Sequence, residues 1–293
     1  MTTTIATTSE DTSSPSYIPR GTATAKLTFY APPPDNSAPY NYVDPQPGIA
    51  QRNYLEPEQT VQITDIRNKE DNFNLDKDAF QVLQRVPTKT TYTTFESDAS
   101  VRKIYYPEVE SLLLSALPGA QKVILFDHTI RRQKDGAPRQ PVNRAHVDQT
   151  RRAAIARVRK HVSDPAEAEE LLKGRYRIVN VWRPLKGPVQ SMPLAFASAT
   201  SVDDKDLVPI EHRYPDRNGE TMGVQFNEGQ KWHYWSGMME DERILLKCSD
   251  SEASGTSGNG LAQWVPHTAF WDPRTPAGAK GRESIEVRAL VFG

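Results

Sequence analysis

RYRIVNVWRPL, residues 175–185, packs Tyr176, Ile178, Val179, Val181 and Trp182 into one short stretch closed by Pro184. That density of β-branched and aromatic side chains reads as a strand. Working outward, KVILFDHTI (122–130), MPLAFAS (192–198), GVQF (223–226), WHYWSG (232–237), RILLKCSD (243–250), VPHTAF (265–270) and SIEVRALVF (284–292) have the same character. TATAKLTFY (22–30) alternates like a strand and ends at Pro32-Pro33-Pro34. Helices are predicted mainly ahead of these strands. One covers residues 76–84; another covers 101–117, with Tyr105, Val109, Leu112, Leu113 and Ala116 at helical spacing before Pro118-Gly119. Between 148 and 175 lies a polar helical pair broken at Ser163-Asp164-Pro165, where Asp164 and Pro165 supply a cap and a first turn. Short strands backed by helices predict a mainly β fold with flanking helices, a sandwich or barrel.

The 293 residues suffice for one large domain, and hydrophobic residues at 37% are slightly few, as a disordered segment would explain. Residues 1–18, rich in Thr and Ser, are predicted to be a disordered tail, and 19–293 a single domain. The Pro-rich stretch 31–57 carries Tyr40, Tyr42 and Tyr54, which are costly to leave in water, so it reads as an extended arm laid on the domain or on a second subunit of a homodimer. Lys plus Arg total 36 against 37 Asp plus Glu, a balance that provides no field for a polyanion and argues against nucleic-acid binding. No apolar run approaches the roughly 18 residues a membrane span needs. The single Cys248 offers no disulfide, and residues 1–17 lack both the basic start and the apolar run of a secretory signal, so the expected location is cytoplasmic.

Of the six histidines, only His146 has an Asp two residues on, Asp148. On a strand those two side chains share a face, and with one distant His they form the two-His, one-carboxylate set that holds non-haem Fe(II) with positions left open. Chance supplies about 0.4 such pairs in a chain of this composition, so context must decide. The context is downstream: His267 sits in a strand-like run, with His233 and His212 as spare candidates, and Arg282 follows it by 15 residues at the head of the last strand. Arg282 and Ser284 share a face there, so a guanidinium fork and a hydroxyl together suit one carboxylate.

The combination of Tyr105-Tyr106-Pro107-Glu108, His146-Val147-Asp148-Gln149-Thr150, Asn180-Val181-Trp182-Arg183-Pro184, Pro266-His267-Thr268 and Arg282-Glu283-Ser284 resembles the Fe(II)/2-oxoglutarate oxygenases. More closely it is similar to the fungal gibberellin-desaturase-like group, which includes hydroxylase/desaturases of aspergillic-acid type and is similar to a cephamycin methoxylation component. The resemblance spans roughly residues 100–292. It implies a double-stranded β-helix (jelly-roll, cupin-like) barrel, Fe(II) on His146, Asp148 and His267, and 2-oxoglutarate held at its distal carboxylate by Arg282 with Ser284. It further implies O2 as co-reactant, release of succinate and CO2, and hydrogen abstraction by a ferryl oxygen that hydroxylates or desaturates a small natural-product intermediate. Arg288 shares the face of Arg282 and is the alternative cosubstrate anchor, with Asn180 a further site residue; Tyr105, Trp182, Arg183 and Tyr234 are the expected substrate contacts. Two rivals stand beside this reading: an iron oxidase with the same triad but no 2-oxoglutarate, and a non-catalytic accessory of a methyltransferase.

Overall fold

The computed structural model describes residues 14, 16–256 and 258–293; most of the tail expected to be disordered, residues 1–13 and 15, lies outside them. Two curled sheets face each other. The first hydrogen-bonds in the order β1 (Ala23–Thr28), β3 (Glu58–Asp65), β11 (Trp232–Tyr234), β8 (Leu194–Ala197), β13 (His267–Ala269), β6 (His146–Val147), β10 (Asn218–Val224), β9 (Leu207–Arg213) and β2 (Tyr40–Tyr42). The second runs β4 (Phe80–Leu83), β12 (Arg243–Asp250), β7 (Tyr176–Pro184), β14 (Glu283–Phe292) and β5 (Lys122–Arg132). β6, β8, β11 and β13 of the first sheet oppose the antiparallel β5, β7, β12 and β14 of the second, which is the eight-stranded double-sheet jelly roll.

Period two along β14 sorts its side chains into layers. Ile285, Val287, Ala289 and Val291 point outward onto α3 (Tyr106–Ala116), which covers them with Val109 and Leu113. Leu290 and Phe292 point the other way, onto α4 (Arg151–His161) and α5 (Pro165–Leu171) through Ala154, Val158 and Ala168. Ser284, Glu286 and Arg288 share that inner face. Between the sheets, Phe80, Trp182, Phe196, Ile244, Leu246 and Val265 form the central core. A fourth cluster closes the back of the first sheet, where β1 folds over until Thr28 bridges Arg144 and buries Ala25, Leu27 and Phe29 against Val147 and Ala197.

The eight central predicted strands and the one at 22–30 are present, with ends shifted by a few residues. The helix expected over 76–84 is not: α1 spans only Leu75–Asp78, Ala79 turns the chain at φ 63°, and β4 begins. Phe80 and Val82 pair with Leu246 and Ile244 and fill the central core, so tertiary burial overrides helical spacing. The helix expected over 101–117 starts with a short α2 (Asp98–Ser100) and a π turn over Val101–Tyr105, because Pro107 has no N–H to continue an α ladder there. The arm packs on its own chain: β2 adds parallel to β9, Tyr54 is buried, and Arg213 lies over the rings of Tyr40 and Tyr42 at 4.3 and 5.3 Å. Among the described residues no helix is long and apolar enough to cross a membrane.

Candidate active site

β6 is only two residues long, yet its pairing decides the site. His146 lies directly across from His267 on β13, which sets the two imidazole centroids 4.5 Å apart. Val147 between them in parity is driven into the opposite core, so Asp148 returns to the histidines' side. His146 Nε2 is 3.3 Å and His267 Nε2 is 3.9 Å from Asp148 Oδ1, and the candidate ligand atoms of all three residues lie within 4.8 Å of one another.

The other ring nitrogens fix the tautomers. Nδ1 of His146 meets the carbonyl of Arg144 at 2.8 Å, and Nδ1 of His267 meets that of Val265 at 3.1 Å. A carbonyl only accepts, so each Nδ1 carries a hydrogen and each Nε2 is the nitrogen turned to the carboxylate. Burial, then the neighbouring His146, lowers the His267 pKa to about 4, which keeps that ring neutral. Burial alone would raise the pKa of Asp148, but Arg288 foremost, then the two histidines, holds it well below the ordinary range. Two imidazole nitrogens and a carboxylate oxygen converging on one point form a donor set that a divalent cation satisfies, and Fe(II) fits it.

Asp148 Oδ2 is held from the second sheet: Asn180 Nδ2 donates to it at 2.8 Å and Arg288 Nε at 3.1 Å. Arg288 also pairs with Glu286 at 2.6 Å and with Asp127 at 2.9 Å, and donates to Thr129 at 3.2 Å. Arg288 is therefore fully engaged, with Glu286 of its own strand as one of its partners. Arg282 differs. Its guanidinium is 4% exposed, donates to the Met192 carbonyl at 2.5 Å, lies 5.5 Å over the Trp182 ring, and leaves Nε without a partner. Among the described residues it makes no ion pair, and burial with Arg131 nearby lowers its pKa to about 9. A buried cation lacking its anion fits the distal carboxylate of 2-oxoglutarate, and Ser284 is buried on the same face. The two arginines left open by the sequence are thus separated by the company each keeps.

Three of the expected substrate contacts lie elsewhere. Tyr105 is buried behind the second sheet against Val109 and Phe95, because the π turn rotates it onto the outer layer. Arg183 points to that same side, as odd parity on β7 requires, and donates to Thr90 and the Pro184 carbonyl. Tyr234 shares the face of Trp232, not of His233; its hydroxyl donates to the Gly21 carbonyl behind the first sheet. Trp182 alone faces the inside, beneath Arg282. Sequence reasoning missed Asp127 beside Arg288. It also missed a cleft of about 420 Å³ between α4 and the β9–β10 hairpin, bordered by Asp148, Arg157, His212 and Thr221. β9, with Pro209 inside it, gave no strand signal.

A family model described as "Oxidoreductase/YMDC permease-like domain" matches residues 27–292. The hydroxylase/desaturase poxK of Penicillium oxalicum is 37% identical over 300 residues, covering 94% of this chain and 92% of the relative. The Fe(II)/2-oxoglutarate-dependent dioxygenase nvfI of Aspergillus novofumigatus is 33% identical over 260 residues, 87% of this chain and 90% of the relative. A solved structure of the iron and alpha-ketoglutarate-dependent endoperoxidase NvfI superposes with a TM-score of 0.84 at 30% identity, covering 94% of this chain and 99% of that one. These relatives favour a cosubstrate-dependent enzyme over both rivals. With a jelly roll, a two-histidine, one-carboxylate set and a buried arginine awaiting an anion, the chain belongs to the Fe(II)/2-oxoglutarate-dependent dioxygenases.

Proposed function

We propose that this oxygenase hydroxylates or desaturates a small organic molecule that enters the cleft at Asp148, in the cytoplasm and with no nucleic acid involved. The observation that carries the reading is that one border of the cleft is Asp148, a residue of the metal set, within a volume suited to a drug-sized ligand. Fe(II), when bound with 2-oxoglutarate and O2, supplies the oxidant that removes a substrate hydrogen. The chain's own residues do the rest. His146, Asp148 and His267 hold the metal; Arg282, with Ser284, pairs with the distal carboxylate; α4 and the β9–β10 hairpin wall the substrate. The relatives' names, hydroxylase/desaturase and dioxygenase, support an oxidation of this kind on a small molecule. A single buried cysteine, a reduced thiol, and a net charge of −1 support the location and the exclusion of polyanions.

The test is a panel of small natural-product intermediates incubated with protein, Fe(II), 2-oxoglutarate and O2. Product heavier by one oxygen or lighter by two hydrogens, with succinate formed in step, is the expected result. Product formed without any need for 2-oxoglutarate overturns it.

A further inference from the structure

Asp148 has two oxygens, and the fold treats them differently. Oδ1 faces the Nε2 atoms of the two imidazoles, whereas Oδ2 faces two donors from the opposite sheet. Those donors are cross-strand neighbours: Arg288 of β14 pairs in register with Asn180 of β7. Asn180 is fully buried on a strand that is buried throughout, and among the described residues its one side-chain hydrogen bond goes to Asp148, while its own Oδ1 has no partner. Burying an amide in such a strand costs free energy that an apolar residue would not incur. The only return visible in the structure is at Asp148 Oδ2. Arg288, clamped in turn by Glu286 and Asp127, cannot swing away to relax that contact.

We propose that Asn180 and Arg288 are positioning residues that hold Asp148 as a one-oxygen metal ligand. The inference rests on the iron-site reading above and deepens it. A six-coordinate Fe(II) with three protein ligands keeps three positions, two for the 2-oxo-carboxylate end of the cosubstrate and one for O2. A carboxylate binding through both oxygens would take one of the three. Two donors on Oδ2 keep that oxygen turned to the second sheet, and the third position stays open.

The test uses the full-length chain, purified metal-free and titrated anaerobically with Fe(II), then separately with Co(II), whose ligand-field spectrum reports coordination number. Asn180→Leu keeps the volume and removes one donor; Arg288→Lys keeps the charge and removes the fork. Each variant is expected to weaken Fe(II) binding about 10- to 100-fold, as loss of a partner behind a metal ligand does. Each is also expected to shift the Co(II) spectrum, with the metal-free unfolding midpoint of Asn180→Leu at or above wild type. Fe(II) affinity within threefold of wild type together with an unchanged Co(II) spectrum, in whichever variant folds, overturns the clamp and leaves the metal site standing. A wild-type chain that binds no Fe(II) overturns the metal site itself, and the clamp with it.

Discussion

Replacing Arg282 with Met should affect two quantities in opposite directions. In the cosubstrate-free protein the guanidinium is an almost fully buried charge with one carbonyl, one ring and, among the described residues, no ion-pair partner, so Glu286 nearby offsets only part of its desolvation. Met retains most of the apolar contact with Trp182 and removes the charge. The carbonyl bond and the ring stacking that are lost amount to about 1 to 2 kcal/mol each, comparable to the burial cost that is relieved. Stability without cosubstrate should therefore hold steady or rise. Binding behaves otherwise. A carboxylate gripped by the fork gains two charge-assisted bonds of about 1.5 to 2.5 kcal/mol each, and at 1.4 kcal/mol per decade their loss weakens 2-oxoglutarate by about two to three and a half decades. Anaerobic titration of the Fe(II)-loaded protein, followed by the weak visible charge-transfer band of the ternary complex, measures that affinity. Thermal unfolding of the cosubstrate-free protein measures the other arm. A variant that binds 2-oxoglutarate within threefold of wild type, or one that loses more than about 2 kcal/mol without it, refutes Arg282 as the anion's partner.

Burial also brings His212 and His233 to pKa values of about 4, as it does His267, against about 6.5 in an unfolded chain. The unfolded state therefore takes up protons first, so their stabilisation is complete above about pH 6.5 and drains away as pH falls toward 4, by up to about 1.4 kcal/mol per pH unit for each ring. Urea midpoints of the metal-free protein should fall from pH 7 to 5, and His233→Leu should flatten the slope; a midpoint that rises over that span contradicts this. Tyr105→Phe should leave succinate formation unchanged and stability equal or higher by about 1 kcal/mol, because the buried hydroxyl has no partner to lose; a tenfold loss of activity would return Tyr105 to the substrate site. A methyl on Gly223, which pairs with His146 across β10 and β6, would stand 2.7 Å from Ile210 Cδ1 and 2.9 Å from Tyr30 Cβ. Gly223→Ala should cost about 1 to 3 kcal/mol in chemical denaturation, and a neutral outcome would show that Ile210 and Tyr30 yield freely.

β7, β8, β12 and β14 were legible because they are buried on both faces, or nearly so, and read as dense apolar runs. The peripheral ones were not: β3 is half exposed and polar, β9 contains Pro209, and β4 carries helix-compatible spacing that its partner β12 overrules. Parity gave the metal set, since His146 and Asp148 need only alternate about Val147, and it turned Asn180 and Trp182 inward together. Parity alone does not tell which face is which. Tyr234 was placed on the wrong side for that reason, one residue from His233, which does face inward against Phe80. Arg282 and Arg288 look equivalent along the strand; only their neighbours distinguish them, Asp127, Asp148 and Glu286 around Arg288 against a carbonyl and a ring around Arg282.

All three metal ligands belong to one sheet, on or next to strands of two and three residues, while both groups that brace Asp148 belong to the other, on strands of nine and ten. Asp148 thus acts as a rivet joining a light plate to a heavy one. Losing the ion would slacken the light plate first, and amide hydrogen exchange should quicken around residues 146 and 267 while the amides of β7 and β14 keep their protection.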